Sequence, residues 1–187
     1  MGDPKRSRKK FEKPRHPWQK ARLEEEAKLK ERYGLKNKRE LWKVKSILTN
    51  FKKQAKLLIA RRDPQADKEE RQLLDKLIKL SLLNQNSRLE DVLELNVENI
   101  LNRRLQSIVF KKEFVLKIKQ ARQFIVHGHI TVNGKKVTVP SYLVKLDEED
   151  KINFNMNSSL SNPENLERIK TKQEESIVKK EAVIEAA

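Results

Sequence analysis

The sequence predicts an α+β protein, mostly helical, with an extended basic arm at its start and one small antiparallel sheet late in the chain. Three observations carry that expectation. Apolar residues recur at spacings of three and four over most of residues 19–127, and strict alternation gathers around Asn133-Gly134. The opening GDPKRSRKKFEKPRHPW has three prolines and almost no apolar side chain, so it cannot form a packed helix or strand alone.

A chain of 187 residues allows one or two domains. Only 36% of it is hydrophobic and 5% aromatic, too little for one large core along the whole length. The net charge of +16 points to a polyanionic partner, nucleic acid before membrane. Cysteine is absent, which excludes disulfides and thiolate metal sites. MGDPKRSRKKFEK has no apolar segment and is not a secretory signal, and no stretch has the length of a membrane span. The expected location is therefore cytoplasmic. Charge is unevenly placed: residues 1–60 carry net +13, 61–100 net −2, 101–145 net +9 and 146–187 net −4. Each basic block is a candidate contact surface.

The elements follow in order. Residues 1–18 read as the extended basic arm, extended or disordered until an anion orders it, with Trp18 as an anchor. QKARLEEEAKLKERY favours a helix over 19–33, supported by Glu24–Lys28 and Glu26–Lys30 pairs and stopped at Gly34. A second helix spans 38–61, with Leu41, Val44, Leu48, Phe51, Ala55, Leu58 and Ile59 on its apolar face. Asp63-Pro64 breaks it, and DKEERQLLDKLIKLSLLN resumes a helix with Leu73, Leu74, Leu77, Ile78, Leu80 and Leu83 inward. A turn of helix fits Leu89–Leu93. NVENILNRRLQSIVF reads as one helix capped by Asn96, and IKQARQFIVH as another ended by Gly128. HITVNGKKVTVP then alternates around Asn133-Gly134, the signal of a two-residue type I′ hairpin turn. KINFNM follows the acidic turn DEED as a last strand, with Asp147 and Asp150 read as solvated turn residues. The stretch after Ser158 is polar and reads as a linker and tail.

Those residues carry a resemblance. ILNRRLQSIVF followed by KQARQFIVHGHITVNGKKVTVPSYLVK resembles the S-four RNA-binding module, also called the alpha-L motif, over about residues 101–155. GDPKRSRKKFEKPRHPWQKARLEEE and YGLKNKRELWKVKSIL resemble the N-terminal region of the ribosomal small-subunit protein S-four family in its archaeal form, which is also similar to the eukaryotic one. The resemblance implies a structural constituent of the small ribosomal subunit: a primary ribosomal-RNA binder that helps nucleate assembly and lies near the messenger RNA entry region. It also implies neighbouring small-subunit proteins as partners, with no small-molecule substrate, membrane, cofactor or reaction. The alternative is an RNA-modifying enzyme such as a pseudouridine synthase, or a stand-alone ribosome-rescue factor, since both use the same module. The organisation expected is an arm over 1–18, a helical ribosomal domain over 19–100, the module over 101–157 and a polar tail over 158–187.

The candidate RNA-binding residues are the cations and amides of this frame. Arg103 and Arg104 are expected on the module's first helix, and Lys119, Gln120, Arg122, Gln123 and His127 on its second. His129 follows the glycine stop, Lys135 and Lys136 flank the hairpin turn, and Arg6, Arg8, Lys9, Lys10 and Arg15 line the arm. Guanidinium groups grip phosphate bidentately, and amides reach 2′-hydroxyls. Only Glu113 is acidic within 101–145, which favours RNA over internal ion pairing for this block. His127-Gly128-His129 has no carboxylate or cysteine nearby to complete a metal site, so none is assigned. No nucleophile–base set and no phosphate-cradling glycine loop occurs, so no catalytic residue is assigned.

Overall fold

The structure, a computed structural model, describes residues 9–61 and 63–161; the expectations for Arg6, Arg8 and the tail from residue 162 on fall outside them. The chain divides into two compact units. One runs to Ile78 and resumes over Leu83–Leu101, and the other takes Lys79–Leu82 and the chain from Asn102 on.

In the first unit, α1 (Lys20–Arg32) and α2 (Lys38–Ala60) are the principal helices. α2 buries Leu41, Val44, Leu48, Phe51, Ala55 and Leu58, the stripe its spacing dictates. Ile59 departs from expectation and is exposed beside Leu57, because it sits about 100° round the helix from Leu58. α3 (Pro64–Lys79) begins on Pro64 itself, a residue whose fixed φ suits a first helical turn. Its buried positions are Ala66, Leu73 and Leu77, a narrower face than expected. In α4 (Leu89–Glu94), the Asp91 carboxylate accepts the Arg88 backbone N–H at 2.8 Å, and Leu89 and Val92 point inward.

The polar centre of this unit is Glu26 on α1, 1% exposed. Its carboxylate receives Arg22 Nη1 at 2.6 Å and the Trp42 indole N–H at 3.1 Å, with Lys45 at 3.6 Å and Lys38 at 3.9 Å. The expected pairing with Lys30 is replaced by this set, because Glu26 faces α2 rather than solvent. Arg22 extends the network by donating from Nη2 to the carbonyls of His16 (3.0 Å) and Pro17 (2.7 Å). Phe11 packs on Trp42 at 5.9 Å, and the Glu12 N–H donates to Ser46 Oγ at 3.1 Å. Residues 11–17 are thereby tied to the helices. Trp18 does not provide the anchor, being 88% exposed.

α5 (Val97–Asn102) and α6 (Leu105–Lys111) replace the single helix expected over this stretch. The break is long-range in origin. Arg104 is extended (φ −71°, ψ 142°) and bridges Leu143 antiparallel. The Leu105 N–H donates to Tyr142 O at 2.8 Å, and the Val144 N–H to Arg103 O at 3.0 Å. Backbone groups that a continuous helix would pair internally are satisfied by residues some forty positions away.

The second unit contains α6, α7 (Ile118–His127) and α8 (Leu146–Glu149), with a sheet of β1 (Ile130–Val132), β2 (Lys135–Lys136) and β3 (Ile152–Phe154) in the order β2-β1-β3. Both pairings are antiparallel, with Val132 opposite Lys135 and Ile152. Leu105, Ile108 and Val109 from α6 meet Ala121, Phe124 and Ile125 from α7, and Ile130, Val132 and Ile152 close the core from the sheet. Leu160, read from sequence as linker, is buried in the same cluster on a short 3₁₀ turn (Ser159–Ser161). The DEED stretch is likewise more than a turn: it forms most of α8, Glu149 and Glu148 take internal partners, and Asp147 and Asp150 stay exposed.

Two glycines set the module's geometry. At the end of α7, Gly128 has φ +78°, and its N–H donates to Ile125 O (3.0 Å) while that of His129 donates to Phe124 O (2.9 Å). In the hairpin, Asn133 and Gly134 have φ +53° and +74°, as a type I′ turn requires. Gly128→Val and Gly134→Val should each lose on the order of 1–2 kcal/mol, because a side chain at positive φ crowds its own backbone. Thermal unfolding beside an exposed control, Thr138→Val, reads that difference.

Glu26→Gln should lose on the order of 3 kcal/mol, because the carboxylate is buried and the half-buried Arg22, Lys38 and Lys45 around it would lose their counter-charge. Trp42→Phe, which deletes one bond to the carboxylate, should lose about 1.5–3 kcal/mol. Urea unfolding at neutral pH measures both, and a Glu26→Gln protein as stable as wild type would show that the cluster carries no net stability.

Candidate nucleic-acid interface

The module presents its cations on a surface that the core leaves over. α7 turns Ala121, Phe124 and Ile125 inward, so Lys119, Gln123, Val126 and His127 face solvent, with Gln120 and Arg122 half-buried. Lys135 and Lys136 are exposed on β2. A Cβ built on Gly128 would collide with the methylenes of Lys136, so the glycine also lets the hairpin lysine lie across the end of α7. The hairpin cation and the helix-terminal His127 thus come to the same end of the module. A cation there also complements the carbonyl end of the helix dipole.

His129 is only half-available. Its Nδ1 shares a hydrogen bond with Ser158 Oγ at 2.7 Å, and its ring packs edge-on against Phe124 at 5.9 Å. His127 lies 6.2 Å away, ring to ring. Among the described residues, no group of three His, Cys, Asp or Glu gathers as a set able to hold a metal.

Arg103 and Arg104 are not where the sequence reading puts them. Neither projects from a helix face. Arg104 is 2% exposed and lies against the core, so its guanidinium has no surface to offer. The Arg103 side chain is 12% exposed; it donates to Glu149 Oε2 at 2.6 Å and to Val144 O at 3.2 Å. The acid that engages it lies just beyond the basic block, which is why counting acids within 101–145 missed it. Lys112 is drawn to the same place, donating to Glu149 O and lying 3.6 Å from Asp150. Tyr142 donates to Glu148 at 2.8 Å, and burial, reinforced by that bond, holds its phenol above the usual tyrosine range. The acidic α8 is therefore the internal counter-charge of this unit. From residue 114 to 146 the chain has no acid, so α7 and the hairpin hold no carboxylate of their own.

The first unit carries its own basic surface. Lys9, Lys10 and Arg15 are exposed, as expected for the arm. Sequence reasoning missed a cleft of about 750 Å³ between arm and helices, bordered by Lys13, Pro17, Trp18, Lys38 and Arg39. The cation–aromatic pattern in KPRHPWQ was the available signal.

Comparison with known proteins agrees with this division. The family described as ribosomal protein S4/S9 N-terminal domain matches residues 5–102, and the S4 domain matches 103–151. The small ribosomal subunit protein uS4 of Picrophilus torridus is 50% identical over 181 residues, covering 94% of this chain and 99% of the relative. That of Thermoplasma volcanium is 50% identical over 165 residues, 87% of this chain and 82% of the relative. That of Methanococcus aeolicus is 48% identical over 174 residues, 91% and 98%. With both halves matched in order and relatives of nearly equal length, the chain belongs to the ribosomal protein S4 (uS4) family.

Proposed function

We propose that the chain is a structural constituent of the small ribosomal subunit, in the cytoplasm, binding small-subunit ribosomal RNA through the outer face of α7 and the β1–β2 hairpin. The observation that carries this reading is the acid-free run from residue 114 to 146, displayed on a helix end and a hairpin braced by a common core. A rigid cationic surface of this kind reads the phosphate geometry and 2′-hydroxyls of folded RNA rather than a base sequence. Lys119, Gln120, Arg122, Gln123, His127, Lys135 and Lys136 form the proposed surface, with His129 at its edge and Lys9, Lys10 and Arg15 as a second basic surface. Arg103 and Arg104 are assigned to the fold instead. The relatives' names support a structural role, neighbouring small-subunit proteins as partners, and no chemical reaction. An RNA-modifying enzyme or a rescue factor has no comparable support. A part in nucleating assembly and a place near messenger RNA entry are consistent with a binder that folds its RNA-facing surface in advance.

Replacing Lys119, Arg122, Lys135 and Lys136 with Gln should weaken binding to small-subunit ribosomal RNA at least tenfold. The salt dependence of log K should also flatten by about 0.7–0.9 for each phosphate that is no longer neutralised. Filter binding across a salt series reads both, and unchanged affinity and slope would place the RNA-binding surface elsewhere. Arg103→Ala should behave differently, losing on the order of 2–3 kcal/mol of stability because Glu149 is left half-buried without its partner. Glu149→Ala should lose less than that on top of Arg103→Ala in a double-mutant cycle, since the two changes remove one interaction.

A further inference from the structure

We infer that Trp18 and the cleft beside it form a stacking site for an unpaired nucleotide of the ribosomal RNA, separate from the surface on α7. The inference rests on the reading of the chain as an RNA binder and adds a site within the helical unit. Trp18 is one of two tryptophans in the chain and is 88% exposed, an arrangement that gives nothing to the core. The backbone leading into it is nonetheless held in place. The carbonyls of His16 and Pro17 accept from Arg22 Nη2 at 3.0 and 2.7 Å, and Arg22 is itself fixed by Glu26 at 2.6 Å. The turn that carries the indole just before α1 is thus clamped, so a ligand stacking on it need not order the backbone.

The cleft supplies the rest of a nucleotide's needs. Its volume of about 750 Å³ falls in the range of sites that enclose small ligands. Lys13 and Arg39 border it and make no ion pair among the described residues. The one acid lining it, Glu26, is 1% exposed and already surrounded by Arg22, Lys38 and Lys45. The rim therefore attracts an anion while the indole offers a π-face, the combination by which proteins hold unpaired bases and their phosphates. The walls are largely apolar, from Pro14, Pro17, Leu23 and Trp42, but the charges beside them are Lys13, Lys38 and Arg39 with no exposed acid among them, which favours an anionic ligand with a flat apolar face over an uncharged protein surface.

The test compares Trp18→Ala, Trp18→Leu and Trp18→Phe for affinity to in vitro transcribed small-subunit ribosomal RNA from the same organism, at fixed salt. Stacking predicts a loss of about tenfold for Ala and for Leu, and near-wild-type binding for Phe, which keeps a π-face. Thermal unfolding should not move, because the side chain is outside the core. Fluorine-labelled tryptophan gives a second readout: the Trp18 resonance, assigned by its absence in Trp18→Phe, should shift on RNA binding. Leu binding as tightly as wild type, or a Trp18 resonance unmoved in the complex, overturns the stacking site. RNA affinity unchanged in the Ala variant, with weaker uptake into assembling subunits, identifies a protein neighbour and also overturns it. A wild-type protein that fails to bind the RNA removes the underlying reading, whereas a wild type that binds while all three variants match it removes the stacking site alone.

Discussion

Glu26 is the point on which the helical unit is organised. A chain with net +16 repels itself, and bringing α1, α2 and the arm together places Arg22, Lys38 and Lys45 around one site. Without a carboxylate there, the three charges would oppose closure. With it, desolvating each ion is offset by hydrogen bonds and short ionic contacts, the condition under which a buried charge is tolerable. The same side chain reaches the arm through Arg22, so the path of residues 16–18 is a consequence of helix packing.

The second unit solves the same problem with a different acid. α8 brings Glu149 to Arg103 and places Glu148 against Tyr142, which leaves these acids turned toward their own unit. α7 and the hairpin lie in the acid-free run. Glu26 and Glu149, each set against an arginine of its own unit at 2.6 Å, are acids of the scaffold. At the rim, Lys119, Lys135 and Lys136 make no ion pair among the described residues, which is what a phosphate-binding surface requires.

Much of the scaffold was legible in the sequence because its causes are local. The stripe on α2 follows from 3.6-residue periodicity, the end of α7 from a glycine able to take positive φ, and the hairpin from Asn133-Gly134. What was not legible depends on partners far along the chain. The split between α5 and α6 comes from backbone pairing of residues 103–105 with 142–144, which no local pattern encodes. The burial of Arg104 and the engagement of Arg103 follow from that split. The acid engaging Arg103 is 46 positions away. Leu160 looked like linker because a single apolar residue among serines has no periodicity, yet one leucine suffices to close a small core. The contacts of the arm were hidden for a related reason: a stack on Trp42 and two carbonyl bonds to Arg22 tie residues 11–17 to the helices, and none of these shows in the composition of the arm.

It follows that net charge alone is a poor guide to how this protein holds a polyanion. Removing Glu26 or Glu149 would make the chain more positive, and a count of charges would then forecast tighter binding. The geometry argues the reverse. Glu26 holds the turn that presents Trp18, and Glu149 secures Arg103 beside the strand-like pairing that fixes α6 against the core. Loosening either would add one unit of long-range attraction, which salt screens over about 8–10 Å, while giving up the positioning that lets several cations meet phosphates together. On the proposed binding surfaces, the acids of this basic protein would therefore support RNA binding from within the fold.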